Sequence, residues 1–143
     1  MSDRLPLSPT PAPPPSRPQR PFGLHLRIDF AGAAPQARIG PGKIALMEAV
    51  GRTGSISAAG RSLGMSYRRA WLLIDAVNHL FDRPLVEAIV GGRSGGGARL
   101  TPLGEDLVAA YRSLEAKTMR QADADLKAFT ARVMASAAED AHD

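Results

Sequence analysis

Apolar and polar residues alternate without a break through Leu24-His25-Leu26-Arg27-Ile28-Asp29-Phe30. That is the two-residue period of a strand with one face against a core. Gly, Ala and Pro break the pattern through residue 35. From Gly42 to about Arg52 the period lengthens, with Ile44, Met47 and Val50 at helical spacing and Gly51 and Gly54 marking the exit. Ser55 stands where a hydroxyl can cap a short second helix with Ile56, Ala59 and Leu63 on its inner face. Gly64 fits the left-handed position that ends a helix and begins a tight turn. Ser66 caps a third helix whose inner stripe is Ala70, Ile74, Val77 and Phe81, running on until Pro84 stops it. Trp71, beside Ala70, is expected to pack inward.

Two short apolar runs follow, residues 85–90 and 98–100, separated by Gly91-Gly92-Arg93-Ser94-Gly95-Gly96-Gly97. They read as a hairpin with a long tip. Thr101 then caps a last helix, with Pro102 at its first position and Glu105 and Asp106 in the first turn, where the helix dipole favours negative charge. Its apolar stripe, Leu103, Leu107, Tyr111, Leu114, Thr118, Ala122, Leu126, Phe129 and Val133, is longer than a small domain can cover. Part of it is expected to face a second copy, with Leu107, Tyr111, Leu114, Leu126 and Phe129 as dimerisation residues. Fold class is therefore mainly α with a small β wing: a winged helix-turn-helix with a long C-terminal dimerisation helix. Four segments are expected: a disordered proline-rich tail over 1–21, which holds most of the twelve prolines, a DNA-binding domain over 22–101, the long helix over 102–135 and a disordered tail over 136–143.

Charge sharpens this reading. Residues 39–104 carry eight Lys and Arg against four Asp and Glu, whereas residues 105–143 carry five against eight. A basic middle and an acidic end suit a module that meets a polyanion with one surface. The recognition helix of a helix-turn-helix enters the major groove with its first residues. Here these are Ser66, Tyr67, Arg68 and Arg69, and Arg can hold guanine O6 and N7 with two parallel hydrogen bonds. Ser55, at the start of the second helix, and Arg93, Ser94 and Arg99, in the wing, complete the expected DNA-contacting set.

Enzymatic chemistry finds no foothold. There is no cysteine, and His25, His79 and His142 have no metal-ligand spacing. No Ser, His and Asp can be placed together. The glycine loop joins two strands rather than a strand and a helix and carries no Lys, so it is a wing and not a phosphate cradle. No catalytic, cofactor-binding or metal residue is assigned, and no cofactor is expected. No apolar run approaches the roughly 20 residues of a membrane span, and no secretory signal is visible, so a cytoplasmic location is expected.

Gly54-Ser55-Ile56-Ser57-Ala58-Ala59, Gly64-Met65-Ser66-Tyr67, Ala70-Trp71, Ile74 and Asn78 together resemble the DNA-binding domain of the ModE family, molybdate-responsive bacterial regulators. The resemblance continues through Leu85-Val86-Glu87, Gly91-Gly92, Gly95-Gly96-Gly97-Ala98, Leu100-Thr101, Gly104, Leu107 and Tyr111. A looser likeness to LysR-type regulators covers the three helices and the wing. The ModE likeness implies a homodimer on a palindromic operator near molybdenum-related genes. It carries no oxyanion-binding residue onto this chain, so direct molybdate binding is not expected. The alternative is an interaction module that heterodimerises with a full-length regulator and titrates it.

Overall fold

The computed structural model describes residues 22–31, 37–91 and 96–142. The proline-rich segment over 1–21 and the wing-tip residues Arg93 and Ser94 lie outside the described residues.

Alternation over residues 22–30 is reproduced in burial, with Leu24, Leu26, Ile28 and Phe30 half-buried and His25, Arg27 and Asp29 exposed. Ladder pairing is shorter than the pattern. Only β1 (Ile28–Asp29) pairs, antiparallel with β2 (Arg38–Ile39), and the Phe30 amide adds a bond to the Ala37 carbonyl at 2.9 Å. The rest of the segment is extended without a strand partner. Its inner residues lie on the core, and Phe30 meets Phe81 edge to face at 5.0 Å.

Helix α1 (Pro41–Thr53) starts at its proline, which lacks the N–H that would be unsatisfied there. It ends at Gly54, whose φ of +69° lets its amide return to the Val50 carbonyl. Beyond the expected Ile44, Met47 and Val50, the helix also buries Leu46 and Ala49. It is the central helix, covered on more than one side. Helix α2 (Ile56–Ser62) and helix α3 (Tyr67–Asn78) cross tightly, because a Cβ on Gly60 would stand only 2.8 Å from that of Ala70. Gly64, at φ +69°, makes the turn between them.

Helix α3 stops at Asn78, not at Pro84. His79 and Leu80 close a turn onto Ala76 and Val77. The Asn78 side chain leaves the helix pattern to accept from the Leu85 and Val86 amides at 3.0 and 2.9 Å and to donate to the Val86 carbonyl at 2.9 Å. These bonds fasten α3 to the wing, β3 (Val86–Ile89) paired antiparallel with β4 (Gly97–Leu100). The Ala98 amide also bonds the Gly54 carbonyl at 2.9 Å, which ties the wing to the corner between α1 and α2.

Thr101 caps helix α4 (Pro102–Asp125), accepting from the Gly104 amide at 3.1 Å and donating to the Pro84 carbonyl at 2.9 Å. The expected single helix is interrupted at Leu126, where ψ is 2°, and resumes as α5 (Lys127–Asp140). There is no Pro or Gly at the break. Thr130 donates its hydroxyl back to the Leu126 carbonyl at 3.0 Å, the same local bond that Thr118 makes to Leu114 within the unbroken α4. Helix α5 also runs through Asp140, so the segment from residue 136 is helical where a disordered tail was expected.

Candidate nucleic-acid interface

Helical geometry divides α3 into faces. Ala70, Ile74 and Val77 are buried and hold the helix on the core. Arg68, Leu72 and Asp75, spaced at four and three, form the outermost ridge, and all three are exposed. Tyr67 and Trp71, one turn apart, lie on the flank toward the wing. Their rings meet edge to face with centroids 6.0 Å apart. Arg69 and Leu73 lie on the opposite flank.

Ser55 and Ser66 act first as caps. Their hydroxyl oxygens each accept from a backbone amide at 3.2 Å, of Ala58 and Arg69 respectively. Each hydroxyl keeps its proton free to donate outward. Tyr67 is 64% exposed. Neither Arg68 nor Arg69 has an ion-pair partner among the described residues. Two exposed cations on the open side of a helix, with no acid paired to them among the described residues, are suited to an anionic partner.

The structure departs from the sequence reading at two of these positions, Trp71 and Arg99. Trp71 is 45% exposed and not a core residue. The inner side of α3 is already filled by small and branched residues, which leaves the indole against Tyr67 and a groove between α3 and the wing. That groove is lined by Ser57, Tyr67, Trp71, Asn78, Glu87 and Gly97 among others. Leu72, four residues after Arg68 and off the inner stripe, is 59% exposed on the ridge, as its spacing requires. Arg99 is not a free wing cation, because its Nε donates to Glu87 Oε1 across the hairpin at 2.8 Å. Both side chains are exposed, so this pair is weak and a phosphate can compete for the guanidinium.

On the long helix the expected dimerisation residues fall into two groups. Tyr111 is 1% exposed and its hydroxyl donates to the Leu26 carbonyl at 2.8 Å. It belongs to the core of its own chain and is removed from the set. Burial raises its pKa above the ordinary value, with Glu115 adding to the rise and Arg112 opposing it. Leu107 is half-buried and packed on the same core. Leu114, Leu126 and Phe129 are exposed, together with Val133 and Met134. Arg112 locks this end of α4 to α1. Its Nη2 and Nη1 donate to Glu48 and Glu115 at 2.5 and 2.8 Å.

Among the described residues no group of three His, Asp or Glu is placed to hold a metal, and no helix is long and apolar enough to cross a membrane.

Comparison with known proteins gives this arrangement a lineage. Residues 42–105, which run from α1 into α4, match the bacterial regulatory helix-turn-helix proteins of the lysR family. The chain is 55% identical over 80 residues to the molybdenum-pterin-binding protein MopB of Rhodobacter capsulatus, covering 56% of this chain and 30% of that protein. It is 48% identical over 73 residues to the molybdenum transport protein ModE of Azotobacter vinelandii, covering 51% and 27%. It is 41% identical over 71 residues to the DNA-binding transcriptional dual regulator ModE of Escherichia coli, covering 50% and 27%. The chain thus spans about a third or less of the length of these curated relatives. The ModE relatives are named as transport proteins and transcriptional regulators, not as enzymes, and nothing in these matches supports the alternative of a titrating interaction module. Residues 42–105 are a LysR-type helix-turn-helix domain, related to that of the ModE transcriptional regulators.

Proposed function

We propose that this chain is a sequence-specific DNA-binding regulator that grips an inverted-repeat operator as a homodimer, with α3 in the major groove. The observation that carries the reading is Arg68: exposed, without an acidic partner among the described residues, and on the outermost ridge of the third helix. Arg68 reads a guanine edge, Tyr67 and Trp71 lie over the groove wall toward the wing, and Arg69 reaches the other wall. Ser55 and Ser66 donate their hydroxyls to phosphates. The wing, with Arg99 and with Arg93 and Ser94 outside the described residues, follows the backbone. Leu114, Leu126 and Phe129 pair the two copies. The names of the relatives, a molybdenum transport protein among them, favour targets among molybdenum-related genes.

The test is selection of bound duplexes from a random pool by the purified chain, followed by titration in salt. Enrichment of an inverted repeat, with affinity falling as salt rises through counterion release, is the expected result. Arg68→Ala then weakens binding to the selected site by about 1–3 kcal/mol more than to random DNA. Equal loss on both duplexes would leave Arg68 on phosphate and remove it from base readout. Failure to bind any duplex would remove the function.

A further inference from the structure

A second basic surface lies on the flank of α3 away from the wing. Arg27 and Arg38 from the β1–β2 region, Lys43 from the first turn of α1 and Arg69 from α3 line one open groove of about 280 Å³, together with Met65 and Leu73. Four cations from four separate segments thus meet in one place. The only carboxylate bonded to any of them among the described residues is Asp29, which holds Arg38 at 2.7 Å. Lys43 donates to the Arg38 carbonyl at 2.6 Å. Partial burial, and then the nearby Arg38, hold the Lys43 ammonium below its ordinary pKa. A Lys43 ammonium drawn partly out of water, with Arg38 beside it, is favoured by an anion in this groove.

Position says which anion. Arg69 belongs to both this groove and the first turn of α3. When α3 occupies a major groove about 12 Å wide, the two phosphate walls stand on either side of it. The wing takes one wall, and this groove faces the other. We propose that Arg27, Lys43 and Arg69, with Arg38 behind them, form a backbone-phosphate clamp for double-stranded DNA on the side of α3 opposite the wing. The inference rests on the DNA-binding reading above and extends it to residues before the helix-turn-helix itself. Such contacts position the protein and carry no sequence information.

The experiment uses the full chain, the selected duplex, and Arg27→Ala with Lys43→Ala. Arg27 is exposed and Lys43 only half-buried, and thermal melting checks that the double variant remains folded. The expected result is a loss of affinity that is equal on selected and random duplexes. The slope of log affinity against log salt should flatten by about two units, near 0.9 for each lost phosphate contact. Arg27→Lys with Lys43→Arg should keep the slope. A duplex carrying neutral methylphosphonates along the wall opposite the wing should bind the unmutated chain and the double variant alike. If the double variant keeps the slope, or loses only sequence discrimination, the clamp is overturned while DNA binding stands. If the unmutated chain binds no duplex, the DNA reading falls and takes the clamp with it.

Discussion

Arg68 and Arg69 are neighbours in sequence and face different surroundings. One hundred degrees of helical rotation puts the first on the outer ridge of α3 and the second in the basic groove beside α1. The two arginines are therefore not interchangeable in a binding experiment. At Tyr111 a different logic holds. Its hydroxyl, 85 residues away in sequence, is the partner that the Leu26 carbonyl has in place of a strand. The fold favours the neutral phenol, whose pKa is raised mainly by burial. Its stabilising contribution is thus complete below about pH 10, the ordinary value for tyrosine, and is lost as pH rises through the raised one. Alkaline melting curves should show this loss in the unmutated chain. Tyr111→Phe should lack the transition and should be less stable by about 1 kcal/mol at neutral pH, the usual worth of one hydrogen bond. An identical alkaline profile in the variant would assign the transition to another group. Residue identities of this kind are only partly legible in sequence. The arginines could be found because helix-turn-helix spacing fixes where the third helix begins. Trp71 is next to the Ala70 stripe in sequence, but a further 100° of rotation carries it off the inner face, which Ala70, Ile74 and Val77 fill. The Arg99–Glu87 pair requires the hairpin register, which a loop of seven residues does not disclose.

Among the elements, the caps were the most legible and the long-range ends the least. Ser55, Ser66 and Thr101 each accept from the amide three residues on, and Gly54 and Gly64 take the left-handed conformation. Such signals are local, so the sequence carries them in full. The end of α3 is not local. Pro84 marks a stop in the sequence, yet the helix ends at Asn78, because that side chain is used to bind residues 85 and 86. The break at Leu126 is hidden as well, since no Pro or Gly marks it and the Thr130 bond beside it recurs at Thr118 in unbroken helix. Asn78 therefore deserves to be treated as a joint between recognition helix and wing. Asn78→Ala leaves two part-buried amides and one carbonyl without these partners. The expected destabilisation is about 1–3 kcal/mol, the cost of unsatisfied buried groups. Hydrogen exchange should speed up at the Leu85 and Val86 amides while the α1 amides keep their protection relative to global stability. Uniform acceleration through α1 and the wing together would mean that the two elements unfold as one unit and that the joint has no separate role.

At the scale of the whole molecule, the apolar stripe of α4 and α5 changes character along its length. Leu103, Leu107 and Tyr111 are covered by their own chain, with Arg112 bridging to Glu48 and Glu115 at the same level. From Leu114 onward the cover stops, and α5 has no buried residue at all: Phe129 is 61% exposed. A run of exposed large side chains over two helices is a liability on a monomer. A twofold axis removes it with one patch that serves both copies. In the proposed homodimer, an inverted repeat requires that axis to set the two α3 helices about 34 Å apart, or a multiple of that. Acidic residues outnumber basic ones after residue 104, so salt that screens their repulsion should tighten the dimer while it weakens DNA binding. The substitution that separates these functions must lie beyond the intrachain core. Leu126→Asp with Phe129→Asp satisfies this condition, because both side chains are exposed in the single chain. Light scattering at micromolar concentration should give a dimer mass for the unmutated chain and a monomer mass for the double variant. The melting temperature of the winged core should change little, since no core residue is touched. Operator affinity should fall to near that of a single half-site. A monomer mass for the unmutated chain, with full affinity for the inverted repeat, would show that α4 and α5 do not join the two copies.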